Sequence, residues 1–90
     1  MNFEQAVESV KVLSSAPSDA DKLLLYGLYK QATVGDVNVS RPYFYKLVEC
    51  AKWDAWSKHK GAIADDVKAK YVELVTLLIN RDVDITENVI

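Results

Sequence analysis

A chain of 90 residues is long enough for one modest hydrophobic core and too short for two. Half of it is apolar, 27% is charged and the formal charge is −2, which argues against general nucleic-acid binding, since that needs a basic surface. No apolar run approaches the roughly 20 residues of a membrane span, no basic region precedes an apolar stretch at the N-terminus as a signal peptide requires, and the lone Cys50 permits no internal disulfide, which fits a reducing compartment.

Phe3, Val7, Val10 and Leu13 form an apolar stripe at helical spacing, so a first helix is expected from about residue 2 to 13. Ser14 to Pro17 then reads as a linker, because proline is a poor interior helix residue. Ser18 suits an N-cap, and Asp19 and Asp21 lie in the first turn, where the helix dipole favours anions. The second helix is expected to reach Val34 and stop at Gly35. Residues 35–42 have no period and read as a connection, long for a small bundle; Asn38-Val39-Ser40 within it matches a glycosylation sequon by chance.

The third helix is expected over residues 50–61, ending at Gly61. Phe44, Leu47, Val48, Ala51 and Ala55 extend its spacing backward, so its start is placed at or soon after Pro42. Phe44 and Leu47 would then face the bundle. The fourth is expected from Ala64 to Asn80, with Val67, Tyr71, Leu74, Val75 and Leu78 inward. The acidic end "DVDITENVI" is expected to be loosely ordered, giving a domain over residues 1–82 and a short tail over 83–90. Four helices and no strand pattern make an all-α bundle.

Little here supports catalysis. His59 is the only histidine, so no multi-histidine metal site can form, and Cys50 lies nine residues before it, on the opposite helix face. No phosphate-cradling or dinucleotide glycine pattern is present. A buried or half-buried cysteine and a surface histidine are expected. Trp53 and Trp56 share one side of helix three, an arrangement usual for core residues. A different signal comes from "LYGLYKQATVG": Tyr26, Tyr29, Lys30 and Thr33 fall on one helical face, beside a leucine-rich side. Tyrosine has a ring to bury and a hydroxyl to pair. Next to Lys30, such a stripe suits either a ligand with a flat ring and a phosphate or packing against a partner helix.

"LYGLYKQATVGDVN", the Arg-Pro at 41–42, "AKWDAWSKHKG" and Tyr71 resemble, in order and spacing, the acyl-coenzyme A binding protein family over residues from about 3 to 79. The resemblance implies an up-down-down-up four-helix bundle that carries long-chain acyl-CoA without altering it. It implies no enzymatic activity, metal or cofactor, and a cytoplasmic monomer that exchanges ligand with acyl-CoA-using enzymes. By position, Tyr26, Tyr29 and Lys30 match residues that meet the nucleotide, with Lys52 converging from helix three. Lys30 and Lys52 are the expected phosphate contacts, and Lys11 and Tyr71 match further nucleotide contacts. The acyl chain would lie over Leu23 and Ala51, with Phe44 at the groove mouth.

Departures fall between positions 43 and 50. Tyr43 replaces a usual glycine, Lys46 an acidic residue, and Val48 and Cys50 two frequent lysines, the first a CoA contact. The stretch "YFYKLVE" is also far more apolar than the family pattern. Packing into the bundle is the expected fate of its apolar residues, with a membrane or partner patch as the other reading. A protein-interaction module with a weakened ligand site is the alternative function.

Overall fold

The computed structural model describes the backbone of residues 1–88 and the side chains of residues 1–81. Among them are four helices and no strand: α1 (Phe3–Val10), α2 (Asp19–Thr33), α3 (Leu47–Ser57) and α4 (Ala64–Asn88). Several boundaries have a local cause. Asn2 and Gln5 form a reciprocal capping box at the start of α1: the Asn2 side chain accepts from the Gln5 N–H, and the Gln5 side chain accepts from the Asn2 N–H. This helix ends at Val10, three residues earlier than expected; Lys11 and Val12 form a turn, and Leu13 still packs on the core. The Ser18 hydroxyl accepts from the Asp21 N–H at 3.1 Å, as its N-cap role requires. Gly35 and Gly61 follow α2 and α3 with φ of 95° and 87°, a conformation glycine adopts without a Cβ clash.

Two boundaries correct the sequence reading. α3 begins at Leu47, with Lys46 as an N-cap that makes no side-chain bond, and residues 43–46 form a turn closed by the Lys46 N–H on the Tyr43 carbonyl. Phe44 and Leu47 therefore face solvent rather than the bundle. α4 runs to Asn88 rather than stopping at Asn80, and neither glycine nor proline interrupts it there. Residues 89 and 90 lie outside the described residues.

The core is built by α1, α2 and α4. Phe3, Ala6, Leu25, Leu28, Val67, Tyr71, Val75 and Leu78 are buried together, with Leu74 half-buried against them. Asp21 pairs with Arg81 near one end of α2, while Gln31 near the other bonds the Ala62 carbonyl just before α4; the two helices run antiparallel. α3 packs on α2 alone among the described helices. Gly27 lies against Ala55, and Lys30 lies over Trp56, so α2 and α3 run parallel. Residues 34–46 make the crossover that a parallel pair requires. The course is up-down-down-up.

Six hydrogen bonds pin that crossover. The Trp56 indole donates to the Gly35 carbonyl and the Trp53 indole to the Val39 carbonyl, both at 2.8 Å. Arg41 clasps Asp54 through two bonds of 2.9 Å. The Asp36 carboxylate accepts from the Gly61 N–H at 2.8 Å and from buried Gln31 at 2.9 Å. Those bonds hold the Asp36 carboxyl below its usual range, with the Gly61 N–H the larger cause.

Candidate functional site

The crease between α2 and α3 carries the site. Its depth depends on Gly27, whose missing Cβ lets α2 approach the Ala55 carbonyl. Along one end of the crease lies a small pocket of about 190 Å³ walled by Tyr26, Lys52, Trp53 and Trp56. Lys52 and the Glu49 carboxylate both line it, and a second ammonium group, that of Lys30, lies over the Trp56 ring. Lys52 from α3 stands 5.7 Å from the centre of the Tyr26 ring, and Lys30 from α2 stands 4.8 Å from that of Trp56. Tyr26 and Lys30 come to this side because they are four residues apart on one helix. Trp53 and Trp56 carry the pocket wall and also tether the crossover through their N–H groups.

The other expected residues divide. Tyr29 is partly exposed and stacks on Phe3 at 6.0 Å; Tyr71 is buried, edge-on to Phe3 at 5.1 Å and 6.4 Å from Tyr29. Burial, then the neighbouring Tyr29, pushes the Tyr71 phenol above its usual pKa, so it stays protonated and able to donate. Thr33 turns its hydroxyl back to the Tyr29 carbonyl. Lys11 is exposed at the end of α1, its ammonium 3.1 Å from Glu8. It is thus engaged by α1 itself rather than by the Lys30–Lys52 pair.

Beyond the pocket the crease becomes apolar. Leu23 and Ala51 line two adjoining grooves. One, of about 460 Å³, also meets Ala20, Leu24, Ala55 and His59; the other, of about 370 Å³, runs to Leu47 and Val48. Leu23 and Ala51 therefore floor a trough shared by the two grooves. Phe44 does not border either groove and points outward.

Three residues have roles that periodicity did not reveal. His59 is half-buried in the groove wall, not on the open surface, and its Nε2 is buried without a hydrogen-bond partner. Desolvation, then Lys58 and Lys70, lowers its pKa and keeps the ring neutral. Gln31 and Asp36 join the crossover to the α3–α4 turn; the sequence offered only a polar residue on α2 and an aspartate after Gly35. Cys50 is buried, and its thiol donates to the Pro42 and Tyr43 carbonyls at 3.4 and 3.3 Å. Among the described residues, no group of three or more His, Cys, Asp or Glu side chains could hold a metal. No described helix is long and apolar enough to cross a membrane.

An aromatic pocket with Lys52 on Tyr26 and Lys30 on Trp56, beside an apolar trough on the same two helices, fits a ligand with an anionic aromatic head and a fatty tail. A family model described as acyl CoA binding protein matches residues 1–75. The chain belongs to the acyl-CoA-binding protein family. It is 46% identical to the acyl-CoA-binding protein of Brassica napus over 81 residues, which covers 90% of this chain and 88% of the relative. It is 49% identical to that of Gossypium hirsutum over 76 residues, 84% and 85% of the two chains. The crystal structure of Oryza sativa acyl-CoA-binding protein 2 superposes with a TM-score of 0.83 at 44% identity, covering 88% of this chain and 86% of that one. The family member from Moniliophthora perniciosa gives 0.83 at 38% identity, over 89% and 79%.

Proposed function

We propose that this chain binds long-chain fatty acyl-CoA esters, holds them without chemical change, and serves as a cytoplasmic carrier and pool former for acyl-CoA-using enzymes. The observation that carries this reading is that one pair of helices holds both the Tyr26–Lys52 pocket, with Lys30 over Trp56, and the Leu23–Ala51 trough. Phosphates of the CoA head would draw Lys30 and Lys52 off the aromatic faces into charge-assisted hydrogen bonds. The adenine would take their place against the rings, and Tyr29 and Tyr71 would flank the head from α2 and α4. Lys11 would reach it on leaving Glu8. The fatty chain would displace water from Leu23 and Ala51.

Binding without catalysis follows from the same residues. The Cys50 thiol is buried on two carbonyls and His59 stands beyond the far end of α3, so these two do not form a nucleophile–base pair. Carriage as a monomer agrees with a site made by one chain. The reading as an interaction module that has lost its ligand is not favoured, because the lysines and tyrosines of the pocket remain together.

Calorimetric titration with palmitoyl-CoA, free CoA and palmitate tests the proposal. Tight binding of palmitoyl-CoA, with much weaker binding of either half alone, is the expected result. Equal affinity for the ester and the free acid would sink it.

A further inference from the structure

Residues 43–48 read Tyr-Phe-Tyr-Lys-Leu-Val, and the five apolar or aromatic side chains among them are between 64% and 82% exposed. Single exposed hydrophobics are ordinary, but a contiguous cluster of this kind marks a contact surface. The rings are mutually ordered outside the core. Tyr43 and Tyr45 stack nearly parallel at 5.8 Å, and Phe44 meets Tyr45 edge-on at 5.8 Å. The backbone beneath is fixed in this posture by the Lys46 N–H and the Cys50 thiol on the Tyr43 carbonyl, and by the Arg41–Asp54 clasp.

We propose that this segment is a reversible docking site for an anionic phospholipid bilayer, with Tyr43, Phe44 and Tyr45 entering the headgroup region. Three observations favour a bilayer over a protein. Tyrosine beside phenylalanine suits the membrane interface, where the ring is buried and the hydroxyl stays among headgroups. The patch supplies five large side chains, far fewer than the roughly 20–30 residues a side of a stable protein interface. The charge around it also has the right sign. With Arg41 matched by Asp54, the groove beside Leu47 and Val48 adds Lys22 and Asp19, the segment itself adds Lys46, and the next turn adds Glu49 and Lys52, an excess of one positive charge on a chain of charge −2. That excess is slight, so ring insertion supplies most of the attraction and anionic lipid adds to it.

Leu47 and Val48 belong both to this patch and to the groove floored by Leu23 and Ala51. Docking would therefore set the open end of the trough against the lipid surface, giving a fatty chain an unbroken apolar path between the two. That consequence rests on the acyl-CoA reading; the docking itself does not.

The test is co-sedimentation of the full chain with phosphatidylcholine vesicles, with and without phosphatidylserine, in the absence of acyl-CoA. The expected result is partition onto the serine-lipid vesicles, weakened by salt, and lowered roughly tenfold or more by Phe44→Ser. Tyr45→Ser should lower it as well. Both sites are exposed, and circular dichroism verifies that the helices persist. A parent chain that stays in the supernatant with both vesicle types overturns the proposal, as does equal partition of parent and variants. Self-association of the parent without vesicle binding overturns it in favour of protein contact. Acyl-CoA titration without vesicles is a separate measurement, so failure of either reading is recognised by itself.

Discussion

Gly27 of α2 lies directly against the main chain of Ala55 on α3, so close that a methyl group at Gly27 would run into the Ala55 carbonyl oxygen. The neighbour is backbone within a helix, so relief requires moving one helix rather than rotating a side chain. Gly27→Ala should cost about 1–3 kcal/mol through overpacking, less up to about 1 kcal/mol regained from alanine's better helix propensity. A net loss in urea denaturation is expected, together with weaker palmitoyl-CoA binding as the crease opens. Unchanged stability would mean that the α2–α3 spacing is set elsewhere.

The lysine assignments carry a second expectation. Lys30→Ala and Lys52→Ala should each weaken palmitoyl-CoA binding by roughly 10- to 100-fold, the equivalent of about 1.5–3 kcal/mol for a charge-assisted hydrogen bond. Helix content should hardly change, although Lys30 also covers buried Trp56. The parent's affinity should fall with added salt, and less steeply in each variant. Titrations at two ionic strengths check both statements; variants that bind as the parent does would remove the phosphate role.

Stripes that pack were legible in the sequence, and stripes that do not pack were not. Val67, Tyr71, Val75 and Leu78 repeat on one face of α4 and are buried. Phe44, Leu47, Val48 and Ala51 share a helical spacing just as good, yet the first three stand in solvent. Periodicity reports that a face exists, not that another helix covers it. α3 packs on α2 alone, so only part of its circumference has a partner. Ser18, Gly35 and Gly61 marked boundaries because each has a local chemical reason to be there. The Asp36–Gly61 and Arg41–Asp54 bonds join positions 25 and 13 residues apart, and nothing in the local pattern announces such pairs. The motif singled out Tyr26, Lys30 and Lys52, and in the structure Lys52 lies over Tyr26 and Lys30 over Trp56. The half-burial of His59 was not legible, because it depends on Gly27 across the crease.

His59 predicts a pH dependence. Burial and two lysines lower its folded pKa below the usual 6.5, so the folded state prefers the neutral ring. The associated stability is complete above 6.5 and is lost as pH falls through the lowered value. His59→Gln should flatten that part of the stability profile. Asp36 and Asp54 act in a separate window: their contributions are present above 3.8 and lost below it, through the lowered carboxyl values. Thermal melts across the acid range should therefore show two descents in the parent and only the lower one in His59→Gln.

Gln31 links two segments that no other described side chain joins in this way. Its amide donates to Asp36 at 2.9 Å and to the Ala62 carbonyl at 3.1 Å, with the residue 3% exposed. Gln31→Leu keeps an apolar body of similar length and removes the Gln31 Oε1, which is buried without a partner. Yet it deprives the Ala62 carbonyl and the exposed Asp36 carboxylate, so a modest net loss of stability is expected. The Asp36 carboxyl should also titrate higher, because one of the hydrogen bonds lowering it is gone. Carboxyl titration by NMR separates this local effect from general loosening.

Chain-length preference should be governed by Ala51. It is small, half-buried, and shared with Leu23 between the two grooves, so its side chain sets the clearance at their junction. Each methylene fully removed from water is worth about 0.8 kcal/mol, so affinity should climb with acyl length until the trough is filled. The trough is open along one side, which makes the gain per methylene smaller than that limit. In Ala51→Phe the ring would occupy the junction and stop the climb early. Long acyl-CoAs should lose affinity strongly, short ones little, and free CoA least, because the head pocket of Tyr26, Lys30 and Lys52 is untouched. Titrations of octanoyl-, palmitoyl- and free CoA against parent and variant measure the ratio directly. A uniform loss for all three would place the fatty chain elsewhere and leave Leu23 and Ala51 as surface residues of the α2–α3 contact.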